Sequence, residues 1–171
     1  EGLNMAQTVV IVGAGEAGGQ AAISLRQGGF IGSITIIGDE PYVPYERPAL
    51  SKQFLANSLV MHRMYLRPAE FYDDHDISLK LNSRVNKVVP GQGVILSDGS
   101  FLEGDTLILA TGGYPRKLML DGSELNGVHY LRTIDDVLGF RDSLMQGTKL
   151  VIIGGGYIGL EVAAVATKSG C

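Results

Sequence analysis

Gly13-Ala14-Gly15-Glu16-Ala17-Gly18 and Gly154-Gly155-Gly156-Tyr157-Ile158-Gly159 share the spacing GxGxxG, and each follows a short run rich in β-branched residues, Thr8 to Val12 and Lys149 to Ile153. In a strand-turn-helix context such glycines permit a tight turn and let backbone amides approach a pyrophosphate. The N-terminus of the following helix then supplies partial positive charge. One loop of this kind is a weak signal; two in one chain imply two dinucleotides. Gly13, Gly15, Glu16, Ala17 and Gly18 are the candidates for the first, and Gly154, Gly156, Tyr157, Ile158 and Gly159 for the second. Hydride transfer from a nicotinamide to a flavin is the chemistry that two such sites suggest.

Positioning the loops requires parallel strands. Thr8 to Val12, a helix from about Glu16 to Gln27 and a strand Ser33 to Ile37 form a first βαβ unit, with Ala21, Ala22 and Leu25 available for the sheet and Gly28-Gly29 ending the helix. The apolar runs in both strands predict a parallel sheet buried on two faces. Asp39 and Glu40 fall at the carboxyl end of the second strand, about 20 residues past the loop, where an acid meets a ribose hydroxyl. Spacing does not choose between them.

Between Pro41 and Tyr72 the prolines and aromatics predict an irregular, ligand-covering insert, with short helices after Pro48 and Pro68, each proline in a first turn. Two strand-like stretches lie between Ile77 and Val89. Val94 to Leu96 and Phe101 to Leu102 flank the turn signal Ser97-Asp98-Gly99-Ser100, which predicts a hairpin. Asp105 to Ala110 reads as a buried strand, and a helix over about Ile134 to Met145 leads into the second nucleotide unit. The expected fold is α/β: a Rossmann-like domain at 5–115 with a parallel sheet and a β-hairpin meander, then the start of a second Rossmann-like domain at 116–171. The second domain reads as truncated. Glu1 to Asn4 read as a leftover ahead of a natural start at Met5.

The 14 basic and 18 acidic residues leave a net charge of −4, which offers no footprint for nucleic acid or an anionic membrane. No apolar run reaches the length of a membrane span and no signal peptide precedes the first strand, so a cytoplasmic protein is expected. Cys171 is the sole cysteine, which excludes a dithiol relay within these residues. His62, His75 and His129 lack metal-ligand spacing, so no metal is expected. The acidic residues Asp73, Asp74 and Asp76 around His75 read as a solvated helix end.

The ordered segments GAGEAGG, ITIIGDEPYVPYERPALSK, LRPAEFY, DTLILATGGYPRKL, HYLRTIDD and VIIGGGYIGLE resemble the FAD-dependent ferredoxin reductases of bacterial oxygenase systems, the group of putidaredoxin reductase and aromatic-ring dioxygenase reductases. The most discriminating are Arg-Pro-x-Leu-Ser-Lys and Gly-Tyr-Ile-Gly-Leu-Glu. The resemblance implies FAD on the first glycine loop and NADH, with NADPH not excluded, on the second. It places Arg47, Pro48 and Lys52 against the flavin and its phosphates, where a cation favours the electron-rich reduced ring. It also implies FAD contacts for Val85, Ala110, Thr111, Gly112 and Arg132, and a pairing of Glu161 with Lys52 beside flavin and nicotinamide. Related flavoenzymes of the glutathione-reductase type carry a cysteine pair where Tyr45 to Leu50 stand here. Electrons are therefore expected to leave the flavin singly, toward a 2Fe-2S ferredoxin that feeds an oxygenase. Other acceptors (rubredoxin, monodehydroascorbate, a nitrite-reductase module) and a nicotinamide-controlled flavoprotein regulator are the alternatives.

Overall fold

The computed structural model describes residues 7–171, so the expectations for Glu1 to Met5 fall outside the described residues. The chain divides into two compact units: the described residues up to Glu46 together with Tyr65–Gly112, and Arg47–Met64 together with Gly113–Cys171.

In the first unit β1 (Thr8–Val12), β2 (Ser33–Ile37), β3 (Ile77–Lys80) and β7 (Thr106–Leu109) form a parallel sheet in the order β3-β2-β1-β7. Ile11 lies opposite Ile36 on one side and Ile108 on the other. A second, antiparallel sheet holds β4 (Val85–Val89), β5 (Gly93–Leu96) and β6 (Phe101–Glu103), with the turn at 97–100 joining the last two as expected. Alternation along β1 explains the layering. Val9 and Ile11 face a cluster with Ala22, Ile34, Ile36, Tyr72 and Ile77, whereas Val10 and Val12 face Ile37, Val94 and Leu96. Both faces of the central strand are thus covered, one by α1 (Glu16–Gln27) and α2 (Ala69–Asp74), the other by the antiparallel sheet. Each fully buried Val or Ile contributes about 1.5–3 kcal/mol, so the strand that ends in the glycine loop is among the most firmly held parts of the chain.

The second unit centres on a 3-10 turn, Arg47–Ser51, against which α3 (Ile134–Phe140) and α4 (Tyr157–Lys168) pack. Leu50, Phe54, Leu55, Met64, Ile134, Val137, Phe140, Val162 and Ala166 are its buried apolar residues. The Arg141 guanidinium lies 5.3 Å from the centre of the Phe54 ring.

Four expectations need correction. Lys149 to Ile153 is not a strand, and Val151 and Ile153 are 84% and 73% exposed. A parallel strand exists through its ladder, and no described segment pairs with this one. The expected helix to Met145 ends at Phe140 and continues only as a 3-10 turn, Arg141–Ser143, because Asp142 and Ser143 favour local turns over helix. β7 is only half-buried, with Leu109 61% exposed, because it lies at the end of the strand order. Pro68 is the N-cap of α2, one position before the first turn.

Candidate functional site

The first glycine loop is closed so tightly that side chains are excluded. Gly13 has φ +118, and a Cβ there would lie 2.1 Å from the Ala110 carbonyl oxygen. A Cβ on Gly18 would meet the Gly13 carbonyl oxygen at 1.9 Å, and one on Gly38 would meet the Ala14 Cβ at 2.4 Å. The Gly13 amide donates to the Ile37 carbonyl at 2.8 Å and the Ala110 amide to the Val12 carbonyl at 2.8 Å, so the loop and the Ala110-Thr111-Gly112 strand end are brought together. Gly15 then caps α1 in extended conformation with no side-chain hydrogen bond, and Glu16, Ala17 and Gly18 form its first turn. By contrast, α3 has a full capping box, with Thr133 Oγ1 accepting from the Asp136 amide at 3.1 Å and Asp136 Oδ2 from the Thr133 amide at 2.8 Å. A helix start without a side-chain cap, behind a loop too tight for a Cβ, fits a pyrophosphate.

At the end of β2, Asp39 and Glu40 take different partners. Asp39 Oδ2 pairs with the Arg84 guanidinium at 3.1 Å, both half-exposed. Glu40 Oε2 accepts from the hydroxyl of the buried Tyr45 at 2.6 Å. The Ser83 amide donates to the Gly38 carbonyl at 2.8 Å, and this carries the start of β4, with Val85, across the carboxyl end of β2. The Arg84 pair with Asp39 likewise sets the residue before Val85 beside the end of β2.

The second loop repeats the first. Gly154 also has φ +118, Gly156 caps α4 in extended conformation with no side-chain hydrogen bond, and Tyr157 and Ile158 open the helix. A Cβ on Gly159 would lie 2.3 Å from the Gly154 carbonyl oxygen and 3.3 Å from Ile152 Cγ2, just as one on Gly18 would lie 3.3 Å from Ile11 Cγ2. The loops differ in that nothing lies within 4 Å of a Cβ on Gly154, and in that no strand precedes it.

Within the second unit the structure brings Lys52 and Glu161 together, Nζ to Oε1 at 2.9 Å, with side chains 42% and 29% exposed. The Lys52 ammonium also donates to the Pro48 carbonyl at 3.1 Å. Ser51 Oγ donates to Glu161 Oε2 at 2.5 Å. Hydrogen bonds from Ser51, then from Lys52, together with the Lys52 charge, hold the Glu161 carboxyl below the usual carboxylate range. Arg47 Nη1 donates to the Arg132 carbonyl at 2.7 Å, and the Arg132 amide donates to Asp136 Oδ2 at 2.8 Å. Arg132 thus meets Arg47 through its backbone, in a segment fixed by the α3 cap. A cavity of about 460 Å³ lies alongside, lined by residues including Tyr114, Lys117, His129, Arg132 and Asp135.

Sequence reasoning missed Gly38, Tyr45 and Ser51. Ser51 stands inside the Arg-Pro-x-Leu-Ser-Lys segment, which was its only signal. Tyr45 offered none, because its partner is visible only once the insert folds back.

The profile of the pyridine nucleotide-disulphide oxidoreductase family matches residues 7–171. The ferredoxin–NAD(P)(+) reductase of a Sphingomonas species is 49% identical over 163 residues, 95% of this chain and 39% of that protein. Rubredoxin-NAD(+) reductase of Pseudomonas putida is 43% identical over 163 residues, 95% of this chain and 42% of its own length. Among solved structures, the covalent putidaredoxin reductase-putidaredoxin complex superposes with a TM-score of 0.92 at 43% identity, covering 97% of this chain and 41% of the matched one. The chain therefore spans about two fifths of the length of these relatives.

Proposed function

Because the chain belongs to the pyridine nucleotide-disulphide oxidoreductase family, we propose that it works in a flavoprotein reductase that accepts hydride from NADH onto FAD and passes single electrons to a 2Fe-2S ferredoxin. The observation that carries this reading is the recurrence of one loop geometry, φ +118 at Gly13 and at Gly154, each followed by a glycine N-cap and a 12-residue helix. The names of the Sphingomonas relative and of the putidaredoxin complex support the acceptor class. A cytoplasmic location, where NADH is at hand, goes with it. FAD, when bound, supplies the conversion between two-electron hydride chemistry and one-electron steps.

The chain's own residues then divide the work. In the FAD-binding domain, 5–115, amides at Gly13, Gly15, Glu16, Ala17 and Gly18 and the positive end of α1 hold the FAD pyrophosphate. Asp39 or Glu40 binds the adenosine ribose, and the backbone at Val85 meets the adenine. Ala110, Thr111 and Gly112, with small side chains or none, let the backbone pass close to the cofactor. Arg47, braced by the Arg132 carbonyl, and the Lys52 ammonium place cationic charge where the flavin and its phosphates are bound, and Pro48 lies between them in the same turn. In the nicotinamide domain, begun at 116–171, Gly154, Gly156, Tyr157, Ile158 and Gly159 hold the dinucleotide, and Glu161 restrains Lys52.

A second reading keeps the site and changes the acceptor, because one relative is named a rubredoxin reductase. The test is anaerobic, NADH-dependent reduction of purified 2Fe-2S ferredoxin and of rubredoxin by the flavin-loaded protein. A faster turnover with ferredoxin is expected; a faster one with rubredoxin replaces the first acceptor with the second.

A further inference from the structure

Ser51 is buried, 3% exposed. A buried hydroxyl is costly unless it is hydrogen-bonded. In helical turns serine commonly satisfies itself on a backbone carbonyl three or four residues earlier. Here the hydroxyl reaches instead across the unit to a carboxylate on α4.

Glu161 is consequently held at both oxygens by consecutive residues of one turn: Oε2 by Ser51 and Oε1 by Lys52. Rotation of the carboxylate breaks one bond or the other. The two grips differ in kind. Lysine is long and half-exposed, and ion pairs of that sort fix little. Serine is short, buried and governed by one torsion, so it defines a direction. From this asymmetry we propose that Ser51 is the positioning residue that fixes the orientation of Glu161 and, through it, the place of the Lys52 ammonium. The assignment rests on the reductase reading for its consequence in catalysis, but its geometry does not. The depressed protonation of Glu161, whose largest single cause is the Ser51 hydrogen bond, agrees with it.

The test uses the full-length, flavin-loaded protein with carbon-13 at glutamate carboxyls, the Glu161 resonance being the one absent from E161Q. In S51A the proton affinity of Glu161 rises, because the hydrogen bond that favours its charged form is lost, and in S51T it stays at the wild-type value. The limiting rate of flavin reduction by NADH falls roughly tenfold in S51A, the scale of a lost hydrogen bond to a charged group, while half-saturating NADH changes less than about twofold. S51A/E161Q is no slower than E161Q, because a residue that acts through Glu161 has nothing left to act on. An unchanged Glu161 titration in S51A, or additive losses in the double variant, overturns the assignment. If Thr at this buried position prevents folding, the comparison of S51A/E161Q with E161Q decides. A wild-type protein without NADH-reducible flavin refutes the reductase reading, and the Glu161 titration still tests Ser51 independently.

Discussion

Alanine substitutions at the loop glycines separate two physical penalties that usually arrive together. Gly154→Ala meets no atom within 4 Å, so its cost is conformational only: φ +118 is a value L side chains rarely adopt, and such strain costs about 1–3 kcal/mol. Gly18→Ala has no positive φ but drives a Cβ to 1.9 Å from the Gly13 carbonyl oxygen, an overpacking of about 1–3 kcal/mol or more. Gly13→Ala suffers both, with φ +118 and a 2.1 Å approach to the Ala110 carbonyl oxygen, which adds to about 2–6 kcal/mol. Against a typical domain stability of about 5–15 kcal/mol, that is a large fraction. Gly113→Ala, with open space and no positive φ, is the control and stays within about 0.5 kcal/mol. The assay is urea unfolding followed by circular dichroism, read as a midpoint change at constant slope, with flavin content measured in parallel. Gly13→Ala should be the most destabilised of the three strained variants and should lose FAD. A Gly13→Ala protein no less stable than Gly154→Ala, or a Gly113→Ala protein as damaged as either, refutes the reasoning.

Arg26 donates to the carbonyls of Phe30, Gly32, His75 and Asp76 at 2.6–2.8 Å, so Arg26→Met should cost about 2–3 kcal/mol in chemical unfolding even though the aliphatic stem is preserved. The Tyr72 hydroxyl is buried without a hydrogen-bond partner, and Tyr72→Phe should leave stability unchanged or raise it by about 1 kcal/mol. Burial, opposed only by Arg67, pushes the Tyr72 phenol up to about 12, so the folded state resists ionisation that the unfolded chain undergoes near about 10. The resulting stability is full below about pH 10 and lost as pH rises through about 12, a loss that Tyr72→Phe should reduce in alkaline unfolding. Gly139 is exposed in α3 with nothing near its Cβ, so Gly139→Ala should raise the thermal midpoint, the gain being about 1 kcal/mol.

Local pattern was enough for much of the first unit. The β-branched runs at Thr8–Val12 and Ser33–Ile37 and the glycine-bounded helix Glu16–Gln27 have the expected boundaries, because strand propensity, loop glycines and helix stop agree there. Lys149 to Ile153 is also rich in β-branched residues and forms no strand, because pairing depends on a neighbouring strand that composition cannot supply. The glycine loops were legible for a related reason: their requirement is a backbone angle, which glycine advertises. Side-chain partnerships were not. Ser51 finds Glu161 across 110 positions and Arg47 finds Arg132 across 85, and neither pairing leaves a spacing signature. Lys52 and Glu161 were paired in advance only through resemblance, and their 2.9 Å contact follows from the turn at Arg47–Ser51 packing on α4.

The most direct test of the central claim is the visible spectrum of the full-length protein, purified with whatever it carries and titrated anaerobically with NADH and then NADPH. The expected result is a flavin spectrum that NADH bleaches and that 2Fe-2S ferredoxin restores. A colourless protein that takes up no FAD, or a bound flavin that neither nucleotide reduces, contradicts it.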